Sequence, residues 1–254
     1  MAGRIPARTR ARRPGGAAVL GIAAVAGGLA WGVAQLPAST RQGVGYRVST
    51  QRIPLATKAL GFLHRDAQYR LLARQVTQGA ISERDRVLAL FEWTRRAIRK
   101  PPRGWPVIDD HILHIIIRGY GQGDQMADVF TTLATYAGVP AFWRPGSVAL
   151  SFARIDGRWA VFDVAGGVVF TDARGQWYDV AQLLAHPELV EQVAGQVAPA
   201  GAPTQQYVDA LRGFHVPPVL RARLQMPLPR LAYEARRAFG LLPSHPAQPA
   251  EAAP

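Results

Sequence analysis

The sequence predicts an α+β fold in which a central helix packs on an antiparallel sheet. Between residues 126 and 137, apolar residues recur with the roughly 3.6-residue period of a buried helix face. After residue 147 the period changes to two, and the two-residue turn signal Asp156-Gly157 joins two alternating runs. Helices followed by a meander of strands are typical of the α+β class.

The composition indicates a globular protein with a basic surface. The chain has 254 residues, of which 48% are hydrophobic and 19% charged, and its net charge is +13. A basic surface attracts anionic lipid, polysaccharide or nucleic acid, but no nucleic-acid motif is present, so no nucleic-acid partner is expected. The absence of cysteine excludes disulfides, thiolate metal sites and thiol catalysis. The sequence contains no cofactor-binding motif, and no cofactor is expected to bind.

The N-terminus predicts a membrane anchor. Residues 1–16 form a basic segment with five arginines and no acid, and residues 17–36 carry no charge. About 20 apolar residues span a bilayer as a helix, and preceding arginines keep the N-terminus in the cytoplasm. The expected location is therefore the cytoplasmic membrane, with a single pass through residues 17–36 and the main domain outside, periplasmic or extracellular. A cleaved signal peptide ending near residues 37–40 is the competing interpretation.

The composition along the rest of the chain predicts four further segments. They are a linker over 37–52, a main domain over 53–194, a C-terminal helical extension over 195–242, and a disordered tail rich in proline and alanine over 243–254.

Local signals place the elements within these segments. A short helix is expected over 67–76, and Ser82 with Asp85 approximates a capping box that begins a second helix. Gly138 is placed for a left-handed cap at the end of the central helix. Asp179 and Thr204 are expected to cap two further helices, and residues 228–241 form another helical candidate.

Three blocks of sequence resemble the transglutaminase-like superfamily, whose fold is shared with papain-type cysteine hydrolases. The first is residues 89–98, similar to the family's helix ahead of the active site. The second runs from Gly121-Gln122-Gly123-Asp124 to Gly138-Val139-Pro140-Ala141, and the third covers residues 148–163. The resemblance covers roughly residues 84–173, and it implies a papain-like core.

The resemblance also implies where a catalytic triad would lie. The family's cysteine falls on Gly123, its histidine on Val148 and its aspartate on Asp163. Because a thiolate, a proton acceptor and an orienting acid act as one unit, loss of the nucleophile or base costs on the order of 10⁶-fold in rate. The sequence therefore predicts a degenerate triad and no confirmed catalytic residue. Gln122, Gly123, Asp124 and Asp163 remain candidates for lining a pocket.

The sequence also contains candidate residues for a metal site and for carboxylate-based hydrolysis. Carboxylates and imidazoles are suitable metal ligands, and the weak candidates are Asp109, Asp110, His111 and His114. Loop-capping aspartates and a core histidine are the favoured interpretation, so no metal site is expected. A carboxylate-based hydrolase built on Asp124 and Asp163 is conceivable, but nothing in the sequence requires it.

These observations favour a membrane-anchored, extracytoplasmic pseudoenzyme that serves as a binding or scaffolding module of the cell envelope. Its expected partners are the membrane and an unknown envelope protein or polysaccharide. Two alternatives stay open. One is an active hydrolase or acyltransferase of the protease or amidase type that uses carboxylates or a metal. The other is a polyanion-binding module.

Overall fold

A computed structural model describes residues 16–44, 47–106, 111–197 and 203–241. The helices in these ranges are α1 Gly16–Ala34, α2 Leu55–Val76, α3 Glu83–Ala97, α4 Ile112–Arg118, α5 Gly123–Tyr136, α6 Val180–Ala185, α7 Pro187–Val197, α8 Thr204–Arg212 and α9 Pro227–Ala238. A 3₁₀ turn, Arg221–Gln225, precedes α9. The strands are β1 Pro37–Val44, β2 Arg47–Pro54, β3 Ala141–Arg144, β4 Leu150–Ile155, β5 Arg158–Asp163 and β6 Val168–Val169.

The described residues divide into two compact units. One consists of α1 with residues 35–40 and 51–60, and the other contains residues 41–44, 47–50 and everything described from 61 onward. The second unit holds the α5 helix and the four-stranded sheet, so it carries the α+β fold that the sequence predicts.

The N-terminal anchor predicted for residues 17–36 coincides largely with α1. No helix in the described part of the chain has both the length and the apolar character that crossing a membrane requires. Glycine and alanine, which offer little apolar side-chain area, make up most of α1. The transmembrane prediction is therefore not supported. Residues 1–15, from the predicted basic segment, and the predicted tail over 243–254 lie outside the described residues.

Two segments near the N-terminus differ from the expected elements. The sequence predicts a linker over 37–52, whereas the structure contains β1 and β2 there, paired as a two-stranded sheet. Their β-branched residues, among them Thr40 and Thr50, favour extended backbone. The short helix expected over 67–76 is the last part of α2, which begins at Leu55 and has 22 residues. A single interior glycine, Gly61, does not interrupt it because glycine costs a helix only about 1 kcal/mol.

The start of α3 and the end of α5 lie where the sequence predicts. At the start of α3, the Asp85 backbone N–H donates to Ser82 Oγ at 3.0 Å, and the Ser82 N–H donates to Asp85 Oδ2 at 3.0 Å. This confirms the capping box. Helix α5 is followed by Gly138 at φ 89°, a left-handed conformation that glycine adopts without strain. The apolar face of α5 is buried against α3, α4, β3 and β4, which confirms the predicted central helix.

The sheet has the order β3-β4-β5-β6, and every neighbouring pair is antiparallel. Asp156 and Gly157, at φ 48° and 82°, form the predicted two-residue turn between β4 and β5, with Ile155 paired to Arg158. Side chains on the sheet alternate between two apolar clusters. Phe162 belongs to the cluster shared with α2–α5, and its neighbour Val161 to the cluster shared with α6–α8. The sheet therefore forms a layer between two sets of helices.

The helices after the sheet pack on its second face. The Gln182 N–H donates to Asp179 Oδ1 at 2.8 Å, which confirms Asp179 as the cap of α6. Thr204 is not a cap, because α8 already begins at this residue and Pro203 occupies the capping position without a side-chain hydrogen bond. Tyr207 and Leu211 of α8 are buried in the second apolar cluster.

Candidate functional site

The loop that enters α5 is tied to the end of α3. Two backbone hydrogen bonds of 2.9 Å connect them: the Arg99 N–H donates to the Gly119 carbonyl, and the Gly121 N–H donates to the Arg99 carbonyl. Gly119, at φ 70°, ends α4 in a left-handed conformation. The Gln122 N–H then donates to Gln125 Oε1 at 3.1 Å, and α5 begins at Gly123.

Packing explains why Gly121 precedes the helix. A Cβ at this position would lie 3.2 Å from each of three side-chain atoms, on Gln125, Ile115 and Ile98. The loop therefore passes close against the apolar core, and a side chain here fits only if its neighbours shift. Glycine at this position brings the backbone close to α4 and to the end of α3.

Gly123 occupies the first position of α5 and is half-buried. A Cβ added there would lie 3.3 Å from Cβ of Ala165, which is closer than an ordinary van der Waals contact. Ala165 belongs to the segment that follows β5, so this segment borders the position where the resemblance places a cysteine. A side chain at position 123 fits only if Ala165 shifts slightly.

The Asp124 carboxylate lies at the N-terminus of α5. Asp124 is exposed, and its Oδ1 accepts a 2.8 Å hydrogen bond from the Gln125 backbone N–H. Negative charge is favourable at this end of a helix because the N–H groups there carry partial positive charge. Asp124 thus stabilises the helix locally and takes up one of the backbone donors at its N-terminus.

Val148 lies just before β4 and is only 8% exposed. It belongs to the second apolar cluster, together with Leu150, Phe152 and Tyr207. It has no group that accepts or donates a proton. The position that the resemblance assigns to a catalytic histidine therefore contributes to hydrophobic packing.

Asp163, at the end of β5, is 4% exposed and is held by donors from two separate elements. Tyr207 Oη of α8 donates to its Oδ2 at 2.7 Å, and the Gly166 backbone N–H donates to its Oδ1 at 2.8 Å. A buried carboxylate must have such partners because leaving it unpaired is costly. Both oxygens are used, so Asp163 ties α8 and the following turn to the sheet.

The turn after Asp163 is densely packed. A Cβ at Gly166 would overlap the Asp163 carboxylate, and a Cβ at Gly167, which has φ 73°, would overlap the Arg95 guanidinium. Gly123 contacts this segment through Ala165, and Asp163 begins it. The structure therefore brings Gly123 and Asp163 to the same turn and places Val148 in the apolar cluster that contains Tyr207. Gln122 remains half-buried at the entrance to α5.

The weak metal candidates do not form a site within the described part of the chain. Asp109 and Asp110 lie outside the described residues. His111 immediately precedes α4, and its ring centroid lies 6.0 Å from that of His114 within the helix. No group of three or more His, Cys, Asp or Glu side chains among the described residues is arranged to hold a metal ion.

A second polar cluster, partly buried and not predicted from the sequence, lies at the other end of α5. Tyr136 Oη is 2.9 Å from both Asp66 Oδ1 and the Gln225 carbonyl oxygen, and Arg70 Nε donates to Asp66 Oδ2 at 2.9 Å. Burial, followed by the hydrogen bond to Asp66, raises the pKa of Tyr136. Nearby, burial raises the pKa of Tyr69 to about 12. The cluster joins α2, α5 and the 3₁₀ turn, which is a structural role.

No sequence signal identified these partners, nor Tyr207 as the partner of Asp163. Tyr207 and Asp163 are 44 positions apart, and Tyr136 and Asp66 are 70 apart. A period or a capping pattern reports on neighbours within a few residues, so contacts at such separations leave no local trace.

The sequence matches no protein-family model and no curated protein. Two solved structures show partial similarity. A proposed protease from Parabacteroides distasonis is 14% identical, with a TM-score of 0.31 over 51% of this chain and 36% of its own. A proposed cysteine protease from Cytophaga hutchinsonii is 18% identical, with a TM-score of 0.37 over 49% of this chain and 48% of its own. The chain thus spans less than half the length of either protein. At these identities neither similarity transfers an activity.

Proposed function

We propose that this chain is a non-catalytic binding or scaffolding module built on a transglutaminase-like core. The observation that carries the proposal is the state of Asp163, the one triad position that keeps its residue type. Its two carboxylate oxygens are occupied by Tyr207 and Gly166, and it is buried. An acid held in this way supports packing between α8 and the sheet.

The two other triad positions support the same proposal for independent reasons. Gly123 offers no nucleophile, and a side chain there would press against Ala165. Val148 offers no base and is packed among apolar side chains. Acyl transfer of the papain type needs a thiolate and a proton acceptor in contact, so these residues provide no route to it.

The envelope location is a second, separate part of the proposal. It depends on the basic residues 1–16 and the uncharged run over 17–36, which we expect to act as an export signal that leaves the main domain outside the cytoplasm. The proposed partner is an envelope protein or polysaccharide. A topology reporter fused after Pro254 tests this location, and an active cytoplasmic reporter contradicts it.

Turnover assays test the absence of catalysis. The purified full chain is incubated with a fluorogenic peptide, an activated acyl ester and a glutamine–amine pair for crosslinking, in parallel with Asp163→Asn and Asp124→Asn. We expect all three proteins to match buffer. Asp209→Asn, at an exposed position, is the matched control. Turnover that disappears in Asp163→Asn or Asp124→Asn, but not in Asp209→Asn, overturns the proposal in favour of a carboxylate hydrolase.

A further inference from the structure

Helix α9 turns its apolar face away from the protein. Leu228, Leu231, Ala235 and Phe239 recur at helical spacing and form one face, and all four are exposed. The exposed fractions are 78% for Leu228, 68% for Leu231 and 78% for Phe239. A helix on the surface of a globular domain normally buries such a face. The apolar face of α9 is therefore free in the described structure to meet something else.

The opposite, polar face of α9 is the one directed at the protein. Tyr233 and Glu234 on this side are partly buried. Helix α9 packs on the 3₁₀ turn Arg221–Gln225, and that turn is fastened to α5 through the Gln225 carbonyl oxygen, 2.9 Å from Tyr136 Oη. The contacts of α9 with the 3₁₀ turn, and of that turn with α5, therefore orient α9 so that its apolar face points away from the protein.

Positive charge accompanies the apolar face. Residues 221–241 contain five arginines and a single acid, Glu234. That acid is engaged by two of the arginines, since Glu234 Oε1 lies 2.6 Å from Arg230 and Glu234 Oε2 lies 3.8 Å from Arg237. Arg236 is exposed and follows the apolar arc at its edge on a helical projection. The segment therefore combines an exposed Leu and Phe face with an excess of guanidinium groups.

This combination fits a lipid surface better than a second copy of the chain. Four large apolar side chains, Leu228, Leu231, Phe239 and Leu241, amount to roughly 400 Å² of apolar area. That is about half of the ~800 Å² that each partner contributes to a standard protein interface. A symmetric dimer through α9 would also bring like-charged arginines together. A helix with leucine and phenylalanine on one face and arginine beside it is suited to lie in the plane of an anionic bilayer.

We propose that α9 is a peripheral membrane-binding helix that inserts its apolar face among anionic phospholipids. Leu228, Leu231 and Phe239 enter the boundary between headgroups and acyl chains, while Arg236, at the edge of the apolar face, contacts the phosphates. The inference is independent of the proposed lack of catalysis and of the segment over 17–36. It concerns only the described C-terminal helix.

A fluorescent probe on α9 tests this with the full chain. Because the sequence has no cysteine, Ala235→Cys provides a single attachment point, in the middle of the apolar face, for an environment-sensitive dye such as NBD. Vesicles of equal parts phosphatidylcholine and phosphatidylglycerol are added. We expect a blue shift and a rise in emission that weaken with added salt, since surface charge attraction is screened. Arg236→Gln is expected to weaken binding roughly fivefold.

The local probe separates α9 from any other membrane-binding part of the chain. The dye on Ile81→Cys, 93% exposed in a loop, is the matched control and is expected to stay in water. Leu228→Asn with Leu231→Asn is expected to abolish the response at position 235, with helicity unchanged by circular dichroism.

Four results overturn the proposal. The first is no response at position 235 with anionic vesicles. The second is an equal response with neutral vesicles. The third is an equal response to heparin without lipid, which indicates a polyanion site. The fourth is a response to protein concentration alone, which indicates self-association.

Discussion

Removing the Tyr207 hydroxyl tests the role assigned to Asp163. Tyr207→Phe deletes the donor of a 2.7 Å hydrogen bond to a carboxylate that is 4% exposed, and it leaves the ring, itself fully buried, in place. Hydrogen bonds to charged groups contribute about 1.5–3 kcal/mol, and Asp163 keeps only the Gly166 donor. We therefore expect the free energy of unfolding to fall by about 1.5–3 kcal/mol, which corresponds to a loss of roughly 3–12 °C in Tm.

Urea unfolding followed by circular dichroism measures this change. Tyr178→Phe is the control, because Tyr178 packs against the same apolar cluster, is half-buried, and its hydroxyl makes no hydrogen bond among the described residues. It should change stability by less than about 0.5 kcal/mol. A double-mutant cycle with Asp163→Asn isolates the pair. An effect of Tyr207→Phe no larger than that of Tyr178→Phe refutes the reasoning.

Three further predictions concern the core and the triad positions. The contribution of Tyr69 to stability should be constant below pH 10 and fall by about 2–3 kcal/mol between pH 10 and 12, because the folded state raises the pKa of Tyr69 from 10.0 to about 12 and so holds its proton more tightly than the unfolded chain. Urea titrations of the unmodified chain and of Tyr69→Phe measure this contribution as the difference between the two proteins. Gly166→Ala should lower Tm by several degrees, because its Cβ overlaps the pinned Asp163 carboxylate. Gly123→Cys combined with Val148→His should yield no acyl-enzyme by intact mass spectrometry, since Asp163 is already bonded to Tyr207.

Each of these has its own control. Tyr69→Phe should make the alkaline slope shallower but not flat, because the pKa of Tyr136 is also raised, and an unchanged slope in this variant contradicts the assignment to Tyr69. Gly213→Ala, at φ −77° with only ordinary contacts to the new Cβ, is the matched control; Gly166→Ala as mild as this control means that Asp163 is free to move. Acylation in the double variant, absent when only Gly123→Cys is made, shows that the triad geometry persists and that the introduced imidazole reaches the thiol.

The elements with local signals were predictable. Gly138 marks the end of α5, Asp156-Gly157 marks the turn between β4 and β5, and Ser82 with Asp85 marks the start of α3. Each of these depends on backbone conformation or hydrogen bonding within a few residues. Caps and turns depend on the residue types at a few neighbouring positions, so the sequence predicts them directly.

The contacts around Asp163 and Gly123, and the direction of the apolar face of α9, were not predictable from local signals. The donor to Asp163 comes from α8, 44 positions away, and the contact of Ala165 with position 123 depends on how the turn after β5 folds back. The helical pattern over 228–241 predicted α9, but the outward direction of its apolar face follows from the anchoring of the 3₁₀ turn to Tyr136. These features arise from tertiary packing, which overrides local patterns.

The most direct test of the central claim is one preparation of Asp163→Asn with two measurements, the free energy of unfolding and turnover on acyl substrates. If Asp163 has a structural role, Asp163→Asn lowers the free energy of unfolding by about 1–3 kcal/mol. Turnover then stays at the buffer level both in the unmodified chain and in the variant. Unchanged stability together with wild-type turnover that the substitution abolishes contradicts the account and makes Asp163 a catalytic residue.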